Sequence, residues 1–487
     1  MKQTGGADAR AADCASQITS HGGKFARMTD LHEKLAARLG PKGYSTDPAT
    51  IAPYLSEWRG RYHGTTPFLA SPSSVEEVSD LVKLCAAAGA AITPQGGNTG
   101  LVSGQIPEGE ILLSLKRINR IRSVDIFDDA IVAEAGVVLA SVQDAAANAG
   151  RLFPLSLASQ GSATIGGLIS TNAGGVHVVR YGMMRDLILG IEAVLADGRV
   201  INGVKALRKD NTGYDLKQLF IGAEGTLGIV TAASLKLFPK PTQHLVAVCA
   251  VDSPELALKL LHRAKGETGA LAAFELMNTM SVDLTVKNIP GMRTPFQGAP
   301  YLTLIEFETA AQSGLREIVE AVLADAIDAG EARDAVIAES EAQTQQFWAL
   351  RENLSAGHRP EGAQVNHDIS VPVSAVPRLI SEGEAAIKRV YAGARIVAFG
   401  HMGDGNIHYT IVQPEGASPD EFPAAQLSHL VNSLAVGMGG SISAEHGIGV
   451  SRRDDFLRFK DPDQVAVMRM LKAALDPNRI MNPRALV

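Results

Sequence analysis

The chain has 487 residues, 46% of them hydrophobic and 20% charged, and it contains no apolar run long enough to cross a bilayer. This length exceeds what one hydrophobic core usually organises and predicts two or three domains, while the formal net charge of -7 disfavours a nucleic-acid surface, which requires clustered Lys and Arg. The three cysteines, Cys14, Cys85 and Cys249, are odd in number and widely spaced, which disfavours a disulfide framework or a cysteine metal site and favours a reducing compartment such as the cytoplasm.

The first elements predicted along the chain are two helices. Residues 1–27 are small and polar and lack the apolar core of a secretory signal, so we expect a disordered lead-in there. The segment MTDLHEKLAARLG predicts a helix that ends at Gly40. In SPSSVEEVSDLVKLCAAAG, two serines each stand three residues before a glutamate, which is the spacing of a capping box, and the apolar stripe that follows ends at Gly89.

Short β-prone segments and helices alternate in the rest of the chain. Strands are predicted at AAITPQ, EILLSL, DAIVAEAG, GIEAVLADG and GIVTAASLKLF, with a helix from Leu139 to Ala149 among them. After FPKPTQ, whose prolines disfavour a central strand, LVAVCAV and YLTLIEFE predict further strands, and helices are expected from Pro254 to Lys265 and from Gln312 to Ala329. Mixed elements of this kind indicate an α+β or α/β layer structure.

Three glycine-rich loops are candidates for binding a phosphorylated cofactor. PQGGNTGLVSGQIP follows a predicted strand and contains no charged residue, and its glycines can take positive φ, so that successive N–H groups form a nest for a diphosphate. QGSATIGGLISTNAGG adds hydroxyl and amide groups, and GAEGTLG is a shorter third loop. Neither GxGxxG opening a helix nor GxxxxGK is present, which disfavours a nicotinamide Rossmann domain and a P-loop enzyme.

Two C-terminal motifs, GHMGDGNIH and SAEHGIG, carry the residues of a metal site. Arg395 to Gly400 and Asn406 to Ile411 predict two strands joined by a tight turn, so that a hairpin brings His401 and His408 together. Glu445 completes a set of two histidines and one carboxylate, which suits zinc or another divalent ion and leaves coordination positions for a substrate.

The glycine loops and the C-terminal motifs together resemble one family. PQGGNTGLVSG, GSATIGGLISTNAGG and GAEGTLGIVT, followed by GHMGDGNIH and SAEHGIG, resemble the FAD-linked dehydrogenases of the vanillyl-alcohol oxidase type, in the branch of D-lactate and D-2-hydroxyglutarate dehydrogenases, over residues 44–483. The resemblance implies an α+β fold with a two-subdomain FAD-binding domain (residues 28–240) and a substrate-binding cap domain with an antiparallel sheet flanked by helices (residues 241–425). A C-terminal helical segment (residues 426–487) would complete the active site.

The resemblance also implies the cofactor site. The first loop reads GGN where relatives with a covalent flavin often place a histidine, so we expect noncovalent FAD. The residues implied to bind it are Pro94, Gly96, Gly97, Asn98, Thr99, Gly100, Ser162, Thr164, Gly166, Gly167, Asn172, Gly174, Gly225 and Ile229.

For the substrate, the resemblance implies a carboxylate-binding arginine. Arg351 in FWALREN would form a bidentate pair with a substrate carboxylate. Ser355, Asn366 and Asn406 would contribute to the same pocket. The reaction implied is the oxidation of a D-2-hydroxy acid, in which a divalent ion lowers the pKa of the substrate hydroxyl, much as zinc lowers that of water from about 15.7 to about 7. His446 is the natural base for this proton, because the ordinary pKa of histidine is near about 6.5, while a hydride passes to the flavin.

Asn366 is a departure from the family pattern. Relatives that oxidise hydroxyglutarate carry a lysine just before the segment HDISVPV, where this chain has Asn366, which places D-2-hydroxyglutarate in doubt. Either His358 or His367 could replace the missing cation, or the substrate could be a monocarboxylate such as D-lactate or a longer D-2-hydroxy acid.

Three other functions stay open. These are a non-redox FAD-dependent transferase resembling the ether-lipid alkyl synthases, an oxygen-using flavin oxidase, and a flavin-containing structural or electron-carrier protein without a substrate. For a dehydrogenase, an electron-transfer flavoprotein or a quinone would fit the family as the electron acceptor. A homodimer is a further expectation.

Overall fold

The computed structural model describes residues 28–487, so the predicted lead-in over residues 1–27 lies outside the described residues. The first part of the chain contains two main sheets with their helices. Its elements are α1 (28–39), β1 (Tyr44–Ser45), α2 (Pro48–Ile51), β2 (Leu69–Ala70), α3 (Val75–Ala88), β3 (Ile92–Gln95), β4 (Ile111–Ser114), β5 (Ile121–Asp125), β6 (Ala130–Glu134), α4 (Leu139–Asn148), β7 (Arg151–Leu152), α5 (Ile165–Thr171), α6 (Val178–Tyr181), α7 (Met184–Leu187), β8 (Ile188–Val194), β9 (Val200–Asn202), α8 (Lys217–Phe220), β10 (Ile229–Lys236) and β11 (Phe238–Pro239).

Helix α3 has the ends that its sequence predicts. The Ser74 hydroxyl accepts a hydrogen bond from the backbone N–H of Glu77 at 3.3 Å, and the Glu77 carboxylate accepts one from the N–H of Ser73 at 2.7 Å. These contacts satisfy N–H groups that would otherwise have no partner at the start of the helix. At the other end, Gly89 has a φ of 66°, in the left-handed region that favours glycine. The predicted helix is therefore confirmed.

The two main sheets of this first part differ in type. In the four-stranded sheet, of order β1-β2-β4-β3, strand β4 is parallel to both β2 and β3, whereas the five-stranded sheet β5-β6-β10-β8-β9 is antiparallel. The strands predicted in this part are all present. The unpredicted strands are β1, β2, β7, β9 and β11, which have only two or three residues each, and β5, whose charged, mostly exposed sequence gave little signal. The glycine-rich loops follow β3, precede α5 and precede β10, and they meet along one cleft.

The second part of the chain is built on one antiparallel sheet. Its elements are β12 (Gln243–Val251), α9 (Pro254–Thr268), β13 (Leu271–Asn278), α10 (Thr279–Asn288), β14 (Tyr301–Thr309), α11 (Leu315–Asp328), β15 (Asp334–Ile337), α12 (Glu341–Glu352), α13 (Leu354–Gly357), β16 (Gln364–Ser370), α14 (Val376–Val390), β17 (Arg395–His401), β18 (Asn406–Val412), α15 (Ala424–Gly437), α16 (Arg453–Phe459) and α17 (Pro462–Leu475). The seven strands have the order β15-β12-β14-β13-β17-β18-β16. The predicted antiparallel sheet flanked by helices is confirmed, while the exact domain boundaries stay predictions.

The two faces of the seven-stranded sheet are covered differently. Helices α9, α11, α14 and α15 pack on one face through an extensive apolar core. Helices α10, α12 and α13 cover part of the other face. Successive side chains of a strand point to opposite faces, so this second face also receives Glu275, Asp368, His401 and His408. Among the described residues, none of the helices has both the length and the apolar character needed to span a membrane.

A buried carboxylate joins the two parts of the chain. Oε1 of Glu306, on β14, lies 2.9 Å from Nε2 of His244 and 3.2 Å from Nε2 of His177, which immediately precedes α6. Burial alone would raise the pKa of Glu306, but the two histidines hold this pKa at about 2. Burial lowers the pKa of His177, and Glu306 more than reverses that effect, while for His244 the hydrogen bond to Glu306 raises the pKa directly.

We expect the double variant His177→Gln/His244→Gln to lose part of the pH dependence of stability. The lowered pKa of Glu306 gives a contribution that is present above its ordinary value of 4.5 and is lost as the pH falls toward about 2. The raised histidine pKa values give a contribution that is complete below 6.5 and is lost as the pH rises through their folded-state values. As the pH rises above 6.5, the melting temperature of the parent chain should therefore fall more than that of the variant. Equal slopes in scanning calorimetry would contradict this prediction.

Candidate active site

The glycine-rich loops line one cleft of about 310 Å³. Most of the residues predicted to bind FAD border this cleft: Pro94, Gly96, Gly97, Asn98, Thr99, Gly100, Thr164, Gly166, Gly167, Gly174 and Gly225. The lining is largely uncharged, so a diphosphate would be held by N–H and hydroxyl donors rather than by Lys or Arg. Glu445 and His446 border the same cleft. The predicted cofactor loops and the loop of the predicted metal site therefore meet.

The close contact between the first two loops explains two of the glycines. A Cβ atom on Gly97 would lie 2.0 Å from the carbonyl oxygen of Ser162, and one on Gly96 would lie 2.2 Å from Oγ1 of Thr164. Neither distance can accommodate a side chain. Thr164 Oγ1 is itself buried and has no hydrogen-bond partner among the described residues. A buried hydroxyl without a partner is costly, so its position at the cleft fits a ligand that accepts or donates a hydrogen bond there.

Three of the predicted FAD residues lie outside the cleft lining. Ser162 contacts the first loop through its backbone, and Ile229 is a core residue at the start of β10. The side chain of Asn172 accepts a hydrogen bond from the N–H of Arg185 and holds the segment after α5. The cofactor contacts of these three residues stay predictions.

The predicted metal ligands lie together. His401 ends β17, His408 lies on the neighbouring strand β18, and their ring centres are 5.6 Å apart. Nε2 of His408 is 3.9 Å from Oε1 of Glu445, and one ligand atom from each of the three residues lies within 4.8 Å of the others. The predicted hairpin is confirmed. Two imidazole nitrogens and one carboxylate oxygen at this spacing fit a divalent ion such as zinc.

A buried glutamate orients the first of these histidines. Glu275, on β13 opposite His401, accepts a hydrogen bond from Nδ1 of His401 at 2.6 Å and another from Nε of Arg351 at 2.6 Å. Burial alone would raise the pKa of Glu275, but the two cationic neighbours lower it to about 2. Burial also opposes the charged form of His401, yet Glu275 raises its pKa to about 9. With Nδ1 donating to Glu275, Nε2 is the nitrogen that would release its proton on binding a metal ion, as in other carboxylate and histidine pairs at metal sites.

A second buried carboxylate, Asp368 on β16, organises the other half of the site. Its Oδ2 lies 3.1 Å from Nδ1 of His446 and accepts hydrogen bonds from the backbone N–H groups of Glu445 and His446 at 3.1 and 3.0 Å. Its Oδ1 accepts a hydrogen bond from the Asn406 side chain at 2.9 Å and lies 3.9 Å from Nδ1 of His408. Burial alone would raise the pKa of Asp368, but the surrounding histidines and N–H donors hold it below its ordinary value.

His408 is held in a state that suits a metal ligand. Burial lowers its pKa well below the ordinary value, and the positive charges of His401 and Arg351 act in the same direction, against the attraction of Asp368. A neutral imidazole has a lone pair free for a metal ion. Asp368, Glu445 and His446 form a second group with metal-ligand spacing, so Glu445 belongs to both groups.

Arg351 points its guanidinium into the same site. It is buried on α12, its Cζ lies 5.0 Å from the ring centre of Phe399, and its Nε donates to Glu275. Within residues 28–487, its Nη2 is buried and has no hydrogen-bond partner. A buried N–H of a charged group without a partner is unfavourable, and an anionic ligand would satisfy it.

The other predicted substrate residues have different surroundings. Ser355 is exposed on α13, and Asn366 is exposed on the edge strand β16. The Asn406 amide donates to Asp368 and to the carbonyl of Ile369, so its observed contacts position Asp368. The substrate contacts of all three stay predictions.

His358 and His367, considered as substitutes for the missing lysine, are both engaged within the protein. Nδ1 of His358 lies 2.5 Å from the Gln364 side chain, and His367 contacts the carbonyl of Tyr409 and the Ser428 hydroxyl. Burial lowers the pKa of each, to about 4 for His367. Both therefore favour the neutral form, which is a poor substitute for a lysine.

Sequence reasoning missed four residues of the site. Glu275 and Asp368 are acids inside apolar strands, in LAAFELMN and NHDISVPV, and a charge at a core position was the signal that could have revealed them. Glu224, in the third glycine loop, borders the cleft, and its carboxylate accepts hydrogen bonds from the N–H groups of Ile448 and Gly449 at 2.8 and 2.7 Å.

The fourth missed residue, Asn482, ties the C-terminus to the cleft. Its side chain donates to the carbonyls of Gly104 and Glu224, and it borders the cleft together with His446. Burial raises the pKa of the Glu224 carboxyl to about 7, against the lowering effect of the hydrogen bonds from Ile448 and Gly449. The third glycine loop, the C-terminus and the SAEHGIG motif are thus held to one another by buried hydrogen bonds.

Comparison with known proteins identifies the family and the fold. A family profile described as "FAD linked oxidases, C-terminal domain" matches residues 240–486, and one described as "FAD binding domain" matches residues 66–203. The mitochondrial D-2-hydroxyglutarate dehydrogenase of Arabidopsis thaliana is 36% identical over 91% of this chain and 79% of its own length, and that of Bos taurus is 36% identical over 92% of this chain and 81% of its own length. A solved structure of alkyldihydroxyacetonephosphate synthase superposes with a TM-score of 0.71 over 93% of this chain and 84% of the other, at 18% identity, and so shares the fold. The resemblance predicted from the sequence is confirmed.

Proposed function

This chain belongs to the FAD-linked oxidase family, and from that premise we propose that it oxidises a D-2-hydroxy acid to the 2-oxo acid with a divalent metal ion, zinc, beside the flavin. Family membership and the named relatives identify the chain as an FAD-dependent oxidoreductase that acts on a CH–OH group. The substrate and the metal ion are proposed from the residues around the SAEHGIG loop.

The single observation that carries the proposal is the position of the SAEHGIG loop. Glu445 and His446 border the FAD cleft, while Glu445 also lies within ligand distance of His401 and His408. A substrate held at these residues would therefore lie between the predicted metal ligands and the cofactor cleft. Such an arrangement supports chemistry in which a hydroxyl loses its proton and the same carbon loses a hydride.

We propose His446 as the general base that accepts the proton of the substrate hydroxyl. Asp368 holds the ring from Nδ1, which leaves Nε2 to accept the proton of the substrate hydroxyl. In the bound state FAD supplies the hydride acceptor, and a metal ion at His401, His408 and Glu445 would supply a positive charge that makes the hydroxyl more acidic. Arg351 offers its Nη2 to a substrate carboxylate, with Glu275 fixing the orientation of the guanidinium.

We also propose an electron acceptor and an oligomeric state for this chain. An electron-transfer flavoprotein or a quinone would reoxidise the flavin, and the chain would act in the cytoplasm as a homodimer. These parts rest on the family resemblance and on the composition of the chain.

Anaerobic mixing of the purified FAD-loaded protein with D-2-hydroxy acids tests the proposal. We expect D-2-hydroxy acids to bleach the flavin absorbance and their L enantiomers to leave it unchanged. Treatment with EDTA should abolish the bleaching, and zinc should restore it, because the metal lowers the pKa of the substrate hydroxyl. Bleaching that is indifferent to the chelator would contradict the metal role, and a lack of bleaching with every hydroxy acid would contradict the dehydrogenase.

The same assay separates the alternative functions. Peroxide formed in stoichiometric amount with oxygen during turnover would indicate an oxidase. A transferase would process an acyl or alkyl substrate without a lasting loss of flavin absorbance.

A further inference from the structure

The SAEHGIG loop carries both Glu445 and His446, and two buried carboxylates hold it. Asp368, on the cap sheet, accepts hydrogen bonds from the backbone N–H groups of both residues at 3.1 and 3.0 Å. Glu224, in the third glycine loop, accepts hydrogen bonds from the N–H groups of residues 448 and 449 at 2.8 and 2.7 Å, one with each of its oxygens. A predicted metal ligand and the proposed base therefore lie between a carboxylate of the cap sheet and a carboxylate of the FAD-binding part.

Glu224 itself belongs to the wall of the cofactor cleft. It borders the cleft together with Ser170 and Gly225, and its own N–H donates a hydrogen bond to the carbonyl of Ser170 at 2.8 Å. Its φ is 51°, in the left-handed region that a residue with a side chain rarely adopts. Such a backbone conformation has an energetic cost and is found mainly where the surrounding structure requires it. The cleft wall thus determines where the Glu224 carboxylate lies.

The first glycine loop makes a second contact with the same segment. The carbonyl of Val102, which borders the cleft, accepts hydrogen bonds from the N–H groups of Val450 and Ser451 at 3.0 and 3.2 Å. A Cβ atom on Gly449 would lie 2.2 Å from this carbonyl oxygen, so only glycine permits the approach. The C-terminal half of the SAEHGIG loop is therefore packed against two of the three glycine-rich loops.

The segment between Glu224 and the predicted metal ligand is short. Three residues separate Ile448 from Glu445, a span of at most about 10 Å when fully extended. The hydroxyl of Ser443 donates a hydrogen bond to the carbonyl of Gly447 at 2.7 Å and closes the intervening residues into one turn. Coupling between two sites is carried by contiguous contacts of this kind. A shift of the Glu224 carboxylate would therefore displace the side chain of Glu445.

We propose that Glu224 is a positioning residue that couples FAD binding to metal binding, an inference that rests on the proposed function. With FAD in the cleft, the third glycine loop would be fixed, and Glu224 would hold the SAEHGIG loop where Glu445 faces His401 and His408. A metal ion at these three residues would stabilise the same position of the loop. Because linkage is reciprocal, each cofactor would raise the affinity of the chain for the other by the same factor.

Direct attraction between the two cofactors is the competing explanation. Glu445 borders the cleft, so the charge of a metal ion beside it could act on FAD without any part played by Glu224. That attraction would not depend on which side chain accepts the N–H groups of residues 448 and 449. Substitution of Glu224 therefore distinguishes the two explanations.

The test measures FAD release from the FAD- and zinc-loaded protein. The FAD dissociation constant is obtained from flavin fluorescence after dilution, once with excess zinc and once with EDTA. We expect chelation to raise this constant in the parent by about 5- to 150-fold, the usual range of coupling between two sites. In Glu224→Gln the ratio should fall to within about twofold, because an amide has one acceptor oxygen and its NH₂ group cannot accept the second backbone N–H. A general loss of stability would raise both constants and leave their ratio unchanged.

Two further variants complete the test. Gly449→Ala displaces the loop from the Val102 carbonyl without changing Glu224, so the ratio should fall here too. This variant decides the question if Glu224→Gln retains too little FAD for the measurement. Glu134→Gln is the matched control, because Glu134 is also a buried glutamate of the FAD-binding part that accepts a backbone N–H, from Arg120 at 2.8 Å. Its ratio should equal that of the parent.

The outcomes separate this inference from the proposed function. A parent ratio within about twofold would overturn the coupling, while the dehydrogenase and its metal ion would stand. A parent-like ratio in Glu224→Gln, or in Gly449→Ala where the first variant cannot be loaded, would assign the coupling to direct attraction and would overturn the role of Glu224. A parent protein in which elemental analysis finds no divalent ion would instead overturn the proposed metal site, and the inference with it.

Discussion

His446→Gln should slow flavin reduction by a D-2-hydroxy acid by about 10²- to 10⁴-fold, which is the usual contribution of a general base. The reason is the position of its ring, with Nδ1 3.1 Å from Asp368 and the side chain at the border of the FAD cleft. Glutamine keeps a polar side chain of similar length but does not accept a proton at neutral pH. The rate is measured by stopped-flow absorbance under anaerobic conditions.

The FAD and metal contents separate this effect from a loss of structure. His446 is not among the proposed ligands His401, His408 and Glu445, so the variant should bind both cofactors as the parent does. His262→Gln, at an exposed position on α9, is the matched control and should reduce the flavin at the parent rate. A parent-like rate in His446→Gln would show that another group takes the proton.

Asp368 is the residue that orients the imidazole ring of His446. Its carboxylate holds the His446 ring and two backbone N–H groups of the same loop, so it is a positioning residue. The sequence contains this acid in HDISVPV, yet nothing in the local pattern connects residue 368 with residue 446. The two are joined because the chain returns to the edge strand β16, where Ser441 pairs with Ser370.

The local parts of the fold were predictable because their causes are local. The ends of α3 follow from two serines, two glutamates and Gly89, and the hairpin of His401 and His408 follows from a glycine-rich turn between two short strands. Long-range pairings have no such signal. Strand β13 lies between β14 and β17 in the sheet, more than one hundred residues from β17 along the chain, and only that pairing places Glu275 opposite His401.

The candidate site was predictable to the same extent. Glycine loops and histidine motifs can be recognised from composition alone. The structure brings most of the predicted loop residues to one cleft and places the three metal-ligand candidates within 4.8 Å of one another, while their roles stay predictions. The residues that orient them, Glu275 and Asp368, are single acids in apolar strands. The sequence shows such an acid, but only the tertiary fold determines which histidine or arginine side chain it contacts.

Glu275→Gln is expected to cause the second large change, a loss of metal affinity of about 10- to 100-fold, as is usual when a ligand histidine loses its carboxylate partner. The same substitution leaves the buried guanidinium of Arg351 without a counter-ion. Removing one member of a buried ion pair costs about 3–5 kcal/mol of the free energy of unfolding. Metal per chain by elemental analysis and denaturant unfolding give the two measurements, and the Kd of a hydroxy acid should rise because Arg351 loses its fixed orientation.

Glu306→Gln provides a control from the same sheet. Glu306 is also a buried strand glutamate bonded to histidine, and it lies on β14 opposite Ala273, two residues from Glu275 along β13. Its substitution should lower stability without changing metal content, because neither His177 nor His244 belongs to the metal set. The two variants therefore separate a general cost of losing a buried carboxylate from a specific effect on His401. Glu275→Gln could instead keep the parent metal content and lose as much stability as Glu306→Gln. Glu275 would then be a structural ion-pair residue alone, and the orientation of His401 would have another source.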